Sequence, residues 1–217
     1  MKQSGNALFL ILIAVALFAA LSYAVTQSGR GGGNIDRETR ELNTAQVIQY
    51  ASSVRTAVDK MRLVSGCSDT DYSFQNSSVA GYVNPTSPTD FSCHVFNAGG
   101  GGLTWQSPPP GINDGSDWVV TGTNRVAGIS GTTALDLVMI LPNVDLEVCE
   151  IVVSKLGGVS ISVDPDFFNV TTQFLGTYGP TVVLQSNGEP LSCVRSTTSG
   201  SGTTAGNYYL YNVLIAR

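Results

Sequence analysis

Residues 7–25 read ALFLILIAVALFAALSYAV and contain no charged side chain. The uncharged stretch runs from Gln3 to Gly29, between Lys2 and Arg30. As a helix rising about 1.5 Å per residue, this segment measures about 28 Å, close to the ~30 Å apolar thickness of a bilayer. The segment therefore predicts a helix that is surrounded by apolar material, either lipid or protein.

Three interpretations fit this segment. A cleaved secretory signal would use Lys2 as its basic region and Ser22-Tyr23-Ala24 as its cleavage site. A single-pass anchor would leave the helix in the membrane. A filament-building helix would instead bury the same side chains against copies of itself.

The opening Met1-Lys2-Gln3-Ser4-Gly5, followed at once by Asn6-Ala7-Leu8-Phe9-Leu10, resembles a type IV prepilin. In that family a short basic leader ends in glycine, and a peptidase cuts before the apolar helix. The resemblance implies cleavage between Gly5 and Asn6, with the apolar helix retained as the core of a fibre. Leu10 stands where most members of the family carry a glutamate. Some pseudopilins also lack this glutamate. The side chains predicted to line the fibre core are Leu8, Leu10, Leu12, Val15, Leu17, Leu21 and Val25.

A glycine-rich stretch divides the chain. Gly29, Gly31, Gly32 and Gly33 predict a hinge, because each glycine in a helix interior costs about 1 kcal/mol. The predicted organisation is a leader-like segment (1–5), a hydrophobic assembly or transmembrane helix (6–28), the hinge (29–33) and a globular head (34–217).

The head begins with an amphipathic helix. Apolar residues recur there at steps of four and three, at Val47, Ala51, Val54, Val58 and Met61. Four further residues are predicted to widen this apolar stripe: Leu42, Ala45, Ile48 and Val64. The helix is predicted to begin at Asn34 or Asp36 and to end at Gly66, which suits a C-terminal cap.

The rest of the head reads as short strands between turn residues. The predicted strands are 118–121, 134–141, 181–184, 191–194 and 207–215. Asn187-Gly188 predicts a hairpin between the third and fourth of them, and Asn143 is predicted to cap a short helix over 144–156. The predicted fold class is α+β: a long N-terminal hydrophobic helix, a Gly hinge, and an amphipathic helix packed on an antiparallel β-sheet head, as in a pilin.

Four cysteines form an even set without a CxxC pair, which makes a zinc site improbable and favours disulfides. Cys67–Cys93 with Cys149–Cys193 is the favoured pairing, because each bond then closes a loop of moderate length. The sequence leaves three connectivities open. The disulfide interpretation implies an oxidising compartment.

Charge is sparse and unevenly placed. Through Arg62 there are seven basic and four acidic residues, and from Leu63 onward four basic and twelve acidic ones. An acidic head without a basic cluster argues against nucleic acid as a ligand.

The sequence predicts no catalytic residue, no metal and no cofactor. His94 is the only histidine, so a metal site or a catalytic triad would have to be built around a single imidazole. Asp114 with Asp117, and Asp164 with Asp166, have too few neighbouring oxygen ligands for a calcium loop and are interpreted as turn carboxylates.

The sequence thus predicts a structural subunit of an extracellular type IV pilus-like filament. Its partners would be copies of itself, the inner membrane before assembly, and the pilus or secretion machinery. The alternative is a single-pass envelope protein whose periplasmic or extracellular domain binds a ligand. A secreted hydrolase is a weaker third interpretation.

Overall fold

A computed structural model describes residues 5–28 and 32–217, with side chains described for 9–23 and 36–217. The elements in chain order are α1 (Gly5–Ser28), α2 (Gly32–Val64), β1 (Val119–Val126), β2 (Asp136–Val144), α3 (Leu146–Lys155), β3 (Ser162–Asp164), β4 (Val182–Leu184), β5 (Leu191–Ser196) and β6 (Tyr208–Ile215). The chain divides into two compact units, with the boundary between Arg40 and Glu41. The division into leader, helix, hinge and head stays a prediction.

The first unit contains α1, whose residues from 9 to 23 are all exposed. Within the described part of the chain, no helix combines the length and the apolar character that crossing a membrane requires. The membrane-spanning helix predicted from the sequence is therefore not found among those residues.

The apolar stripe of α2 is buried as its spacing predicts. Val47, Ala51, Val54, Val58 and Met61 are each at most 2% exposed. The helix ends as expected near Gly66, which has a φ of +69°, and the amide of Cys67 donates to the carbonyl of Met61. The predicted widening of the stripe is confirmed at Ile48, which packs against the core. It is wrong at Ala45, which is exposed, and at Leu42 and Val64, which are 70% and 76% exposed.

Residues 65–118 lie between α2 and β1 and form no named strand. This irregular segment covers much of the buried face of α2. The hydroxyl of Tyr72 donates to the carbonyl of Val58, and the ring of Trp118 lies 6.0 Å from that of Tyr50. The sheet also reaches the helix directly, where Asn212 of β6 donates to the carbonyl of Ala51 at 2.6 Å.

The six strands form one mixed sheet in the order β3-β5-β6-β2-β1-β4. The four central strands are antiparallel, whereas β3 runs parallel to β5 and β4 runs parallel to β1. The predicted antiparallel sheet is therefore wrong at both edges.

The predicted hairpin at Asn187-Gly188 is also wrong, because β4 and β5 are not neighbours in the sheet: β6, β2 and β1 lie between them. The turn is held by segments other than β5. The carboxylate of Asp164 accepts the amide of Gln185, and the side chain of Asn187 donates to the carbonyl of Ser160. These contacts join the ends of the two edge strands, so the sheet curls until it is nearly closed.

Both faces of this curled sheet are buried. One face contributes Leu137, Met139 and Leu210 to the core that contains the apolar stripe of α2. The other face forms a second core with residues of the loop before β4. Its buried members are Val126, Val138, Ile140, Phe168, Val170, Leu184, Val194, Tyr209, Tyr211 and Val213. This nearly closed mixed sheet replaces the predicted pilin-like fold of a helix on an antiparallel sheet.

The short helix α3 lies against β5 and β6. It begins after Asp145, whose side chain makes no capping hydrogen bond, so the predicted cap at Asn143 is wrong. Asn143 instead has a positive φ of 53° and bonds to Asp114 and Asn207.

Candidate assembly surface

The most unusual surface of the described chain is that of α1, which is apolar all the way around the helix. Helical periodicity places successive residues at about 100° intervals, so the unbroken apolar run covers every direction. Its large apolar side chains are between 40% and 74% exposed. They are Phe9, Leu10, Ile11, Leu12, Ile13, Val15, Leu17, Phe18, Leu21 and Tyr23. A helix that is apolar on all sides is ordinarily buried by its surroundings, so α1 lacks the environment that its sequence requires.

The residues predicted to line a fibre core fall within this surface only in part. Leu10, Leu12, Val15, Leu17 and Leu21 are all exposed. Leu8 and Val25 belong to α1, but their side chains lie outside the described residues.

The residues predicted for processing and for the hinge lie at the ends of the two helices. Gly5 and Asn6 are the first two residues of α1. Gly29 and Gly31 lie outside the described residues, whereas Gly32 and Gly33 are the first two residues of α2. Cleavage at Gly5 and bending at the hinge stay predictions.

The favoured pairing of the cysteines is confirmed. Cys67 is bonded to Cys93, and Cys149 is bonded to Cys193. The first bond lies within the irregular segment and joins its start, just after α2, to Cys93, and the second ties α3 to β5. All four side chains are at most 4% exposed. These bonds are typical of proteins from oxidising compartments.

The single histidine packs against an aromatic ring. The imidazole of His94 lies 4.9 Å from the ring of Phe91 in an edge-on arrangement. Burial lowers the pKa of His94, and the nearby Asp90 opposes that shift. These neighbours account for the position of His94 in the structure.

The candidate calcium carboxylates are engaged in turns. Asp114 accepts hydrogen bonds from the amide and hydroxyl of Ser116 and from the side chain of Asn143, and the Ser116 hydroxyl bond is the largest cause of its lowered pKa. Asp117 accepts from the indole of Trp105 and from Ser107. Across the described residues, no group of three histidine, cysteine or acidic side chains is placed to hold a metal ion.

Two carboxylates, Asp136 and Asp164, are buried in the structure. Asp136 was missed by sequence reasoning, and Asp164 was interpreted as a turn carboxylate, which is wrong because Asp164 is buried. Each is fully buried, and each accepts two backbone amides: Val126 and Arg217 donate to Asp136, and Asp166 and Gln185 donate to Asp164. Asp136 interrupts the apolar run 134–141, which is the signal that sequence reasoning passed over. These side chains fasten strand ends and have no access to solvent.

Burial raises the pKa of both Asp136 and Asp164, although Arg125 and Arg217 partly offset the shift at Asp136. The folded chain thus binds these protons more tightly than the unfolded chain does. Their contribution to stability is complete below about pH 4, the ordinary aspartate pKa, and is lost as the pH rises through the folded-state pKa. We expect this contribution to the free energy of unfolding to be smaller at pH 7 than at pH 4.5.

The test is to compare urea unfolding of the wild type and Asp164→Asn at several pH values between 4.5 and 7. His94 acts in the opposite direction and Asp114 acts below pH 4, but both are common to the two proteins. The stability difference between wild type and Asp164→Asn should shrink steadily as the pH rises. A constant difference for Asp164→Asn would show that Asp164 does not titrate in this way.

Comparison with known protein families, with curated proteins and with solved structures finds no match for this chain.

Proposed function

We propose that this chain is a non-catalytic structural subunit of an extracellular type IV pilus-like filament, and that it polymerises through α1. The observation that carries the proposal is the exposure of every described side chain of α1, from residue 9 to residue 23. Support also comes from the prepilin-like start of the sequence and from the two disulfides. The proposal does not depend on the fold of the head.

Burial of α1 supplies a driving force for polymerisation. Covering one large apolar side chain gains about 1.5–3 kcal/mol, so the ten exposed ones between Phe9 and Tyr23 offer roughly 15 kcal/mol or more in gross terms. The lost translational and rotational freedom of a subunit costs about 4–15 kcal/mol of this gain. Most of these side chains would therefore be covered in a stable fibre.

Before assembly the same side chains need another apolar environment, which we assign to the lipid of the inner membrane. Pilus or secretion machinery would then transfer the subunit from that pool into the growing fibre. The disulfides Cys67–Cys93 and Cys149–Cys193 fit the oxidising conditions outside the cytoplasm.

Shearing of native cells tests this proposal. The chain should be released by shear and pellet with fibres of uniform diameter that antibodies against the head decorate along their length. Recovery of the chain only in the detergent-soluble membrane fraction would favour the envelope-anchored binding protein instead.

A further inference from the structure

A proline-rich segment, Gln106-Ser-Pro-Pro-Pro110, runs along the first buried turns of α2. Its two ends are attached to the helix. The amide of Gln106 donates to the hydroxyl of Tyr50 at 3.1 Å, and the side chain of Asn43 donates to the carbonyl of Pro110 at 3.2 Å. Because the start of the segment contacts Tyr50 and its end contacts Asn43, the segment runs antiparallel to α2.

The two attached stretches have matching lengths. Three consecutive prolines favour the polyproline II conformation, which advances about 3.1 Å per residue, so the four steps from Gln106 to Pro110 cover about 12 Å. The seven steps from Asn43 to Tyr50 cover about 10.5 Å of α-helix. The segment is therefore about as long as the two turns of α2 to which it is attached.

The far side of this segment is also fixed. Trp105, which is 6% exposed, donates its indole N–H to Asp117 at 3.2 Å, and the hydroxyl of Ser107 donates to the other carboxylate oxygen at 3.0 Å. A small open cleft remains between the segment and the helix, lined by Val47, Tyr50 and Pro108, and it has room for about one water molecule.

Burial of α2 begins where this segment ends. Residues 36–39 are exposed, whereas Thr44, Val47 and Tyr50 are at most 7% exposed. A helix end without tertiary contacts frays, because its stability depends largely on packing. The attachment of Asn43 to Pro110 thus lies at the start of the fully buried part of α2.

We propose that residues 106–110 act as a brace that keeps α2 helical from Asn43 to Tyr50. This property goes beyond the function proposed above. Without the brace, this stretch of α2 would fray more often.

Hydrogen exchange on the full chain in detergent micelles tests the brace. Replacing Asn43→Ala or Tyr50→Phe removes one attachment each. Since a neutral hydrogen bond is worth about a factor of five in a local equilibrium, exchange of the amides in 41–50 should rise about fivefold for each variant and about 25-fold for both together. The amides of 51–61 should be unchanged.

Two further variants make the test specific. Pro109→Gly leaves both attachments in place but makes the segment flexible, and it should also raise exchange in 41–50. Thr56→Ala removes a hydroxyl that bonds only within α2, to Ser52, and should leave exchange in 41–50 at the wild-type rate. Wild-type exchange rates in the double variant and in Pro109→Gly, or an equal rise across 41–61, would overturn the proposal.

Discussion

Replacing Leu17 with lysine is expected to reduce the amount of fibre about 100-fold or more. Leu17 is 64% exposed and lies in the middle of the described part of α1, so a fibre core would surround it with apolar side chains. Placing a lysine at the centre of a membrane-like apolar environment costs about 2.5–3.5 kcal/mol of free energy, and this cost would arise for every subunit of the fibre. Quantifying sheared fibres by pelleting and immunoblotting measures the effect.

The matched control is Leu42→Lys, which makes the same change at an apolar residue that is 70% exposed on α2. Because the proposed assembly surface does not include Leu42, this variant should form fibres at close to the wild-type level. Normal fibre yield from Leu17→Lys, with the protein produced in normal amounts, would show that α1 is not the polymerisation surface.

Removing the disulfide between α3 and β5 should cost about 4 kcal/mol of unfolding free energy. Cys149 and Cys193 are 44 residues apart, and chain-entropy arguments for a loop of that length give about 4 kcal/mol. The separation of 26 residues between Cys67 and Cys93 gives about 3.5 kcal/mol. Since proteins of this kind are stable by only about 5–15 kcal/mol, either loss is a large fraction of the total.

Urea unfolding of Cys149→Ser/Cys193→Ser and Cys67→Ser/Cys93→Ser, followed by circular dichroism, measures these costs. Treating the wild type with reductant is the control, since it should lower stability by more than either double variant alone. A change below about 1 kcal/mol for Cys149→Ser/Cys193→Ser would mean that the core around α3 and β5 holds together without the bond.

Features set by local sequence are the ones that the sequence predicts well. The spacing from Val47 to Met61 predicts the buried face of α2, because helical geometry alone brings those positions to one side. Strands β1, β2, β4, β5 and β6 all overlap predicted segments, since β-branched and aromatic runs between turn residues mark them. Loop length favours the cysteine pairing that the structure has, although the sequence leaves three connectivities open.

The arrangement of these strands depends on contacts between distant residues, and it is where the prediction is wrong. Asn187-Gly188 has the composition of a hairpin turn, yet the bond from Gln185 to Asp164 joins segments 21 residues apart and directs the chain across the sheet. No local sequence pattern predicts that β4 pairs with β1, which ends 56 residues earlier. Local spacing likewise failed for Leu42 and Val64, because nothing in the fold covers them.

The candidate assembly surface is predictable in location but not in partner. An uncharged segment from residue 7 to residue 25 requires an apolar environment in any protein. Lipid and copies of the same helix both satisfy that requirement, and periodicity does not distinguish them. The leader-like residues up to Gly5 are what favour a fibre, and they do so only through their resemblance to prepilins.

Mass spectrometry of the natural protein recovered from sheared fibres gives the mass of the mature chain and so locates its amino terminus. This measurement is the most direct test of whether the apolar segment 7–25 is retained in the fibre. We expect chains that begin at Asn6 and keep this segment. Mature chains that start at Val25, because the segment was removed as a secretory signal, would contradict the proposal.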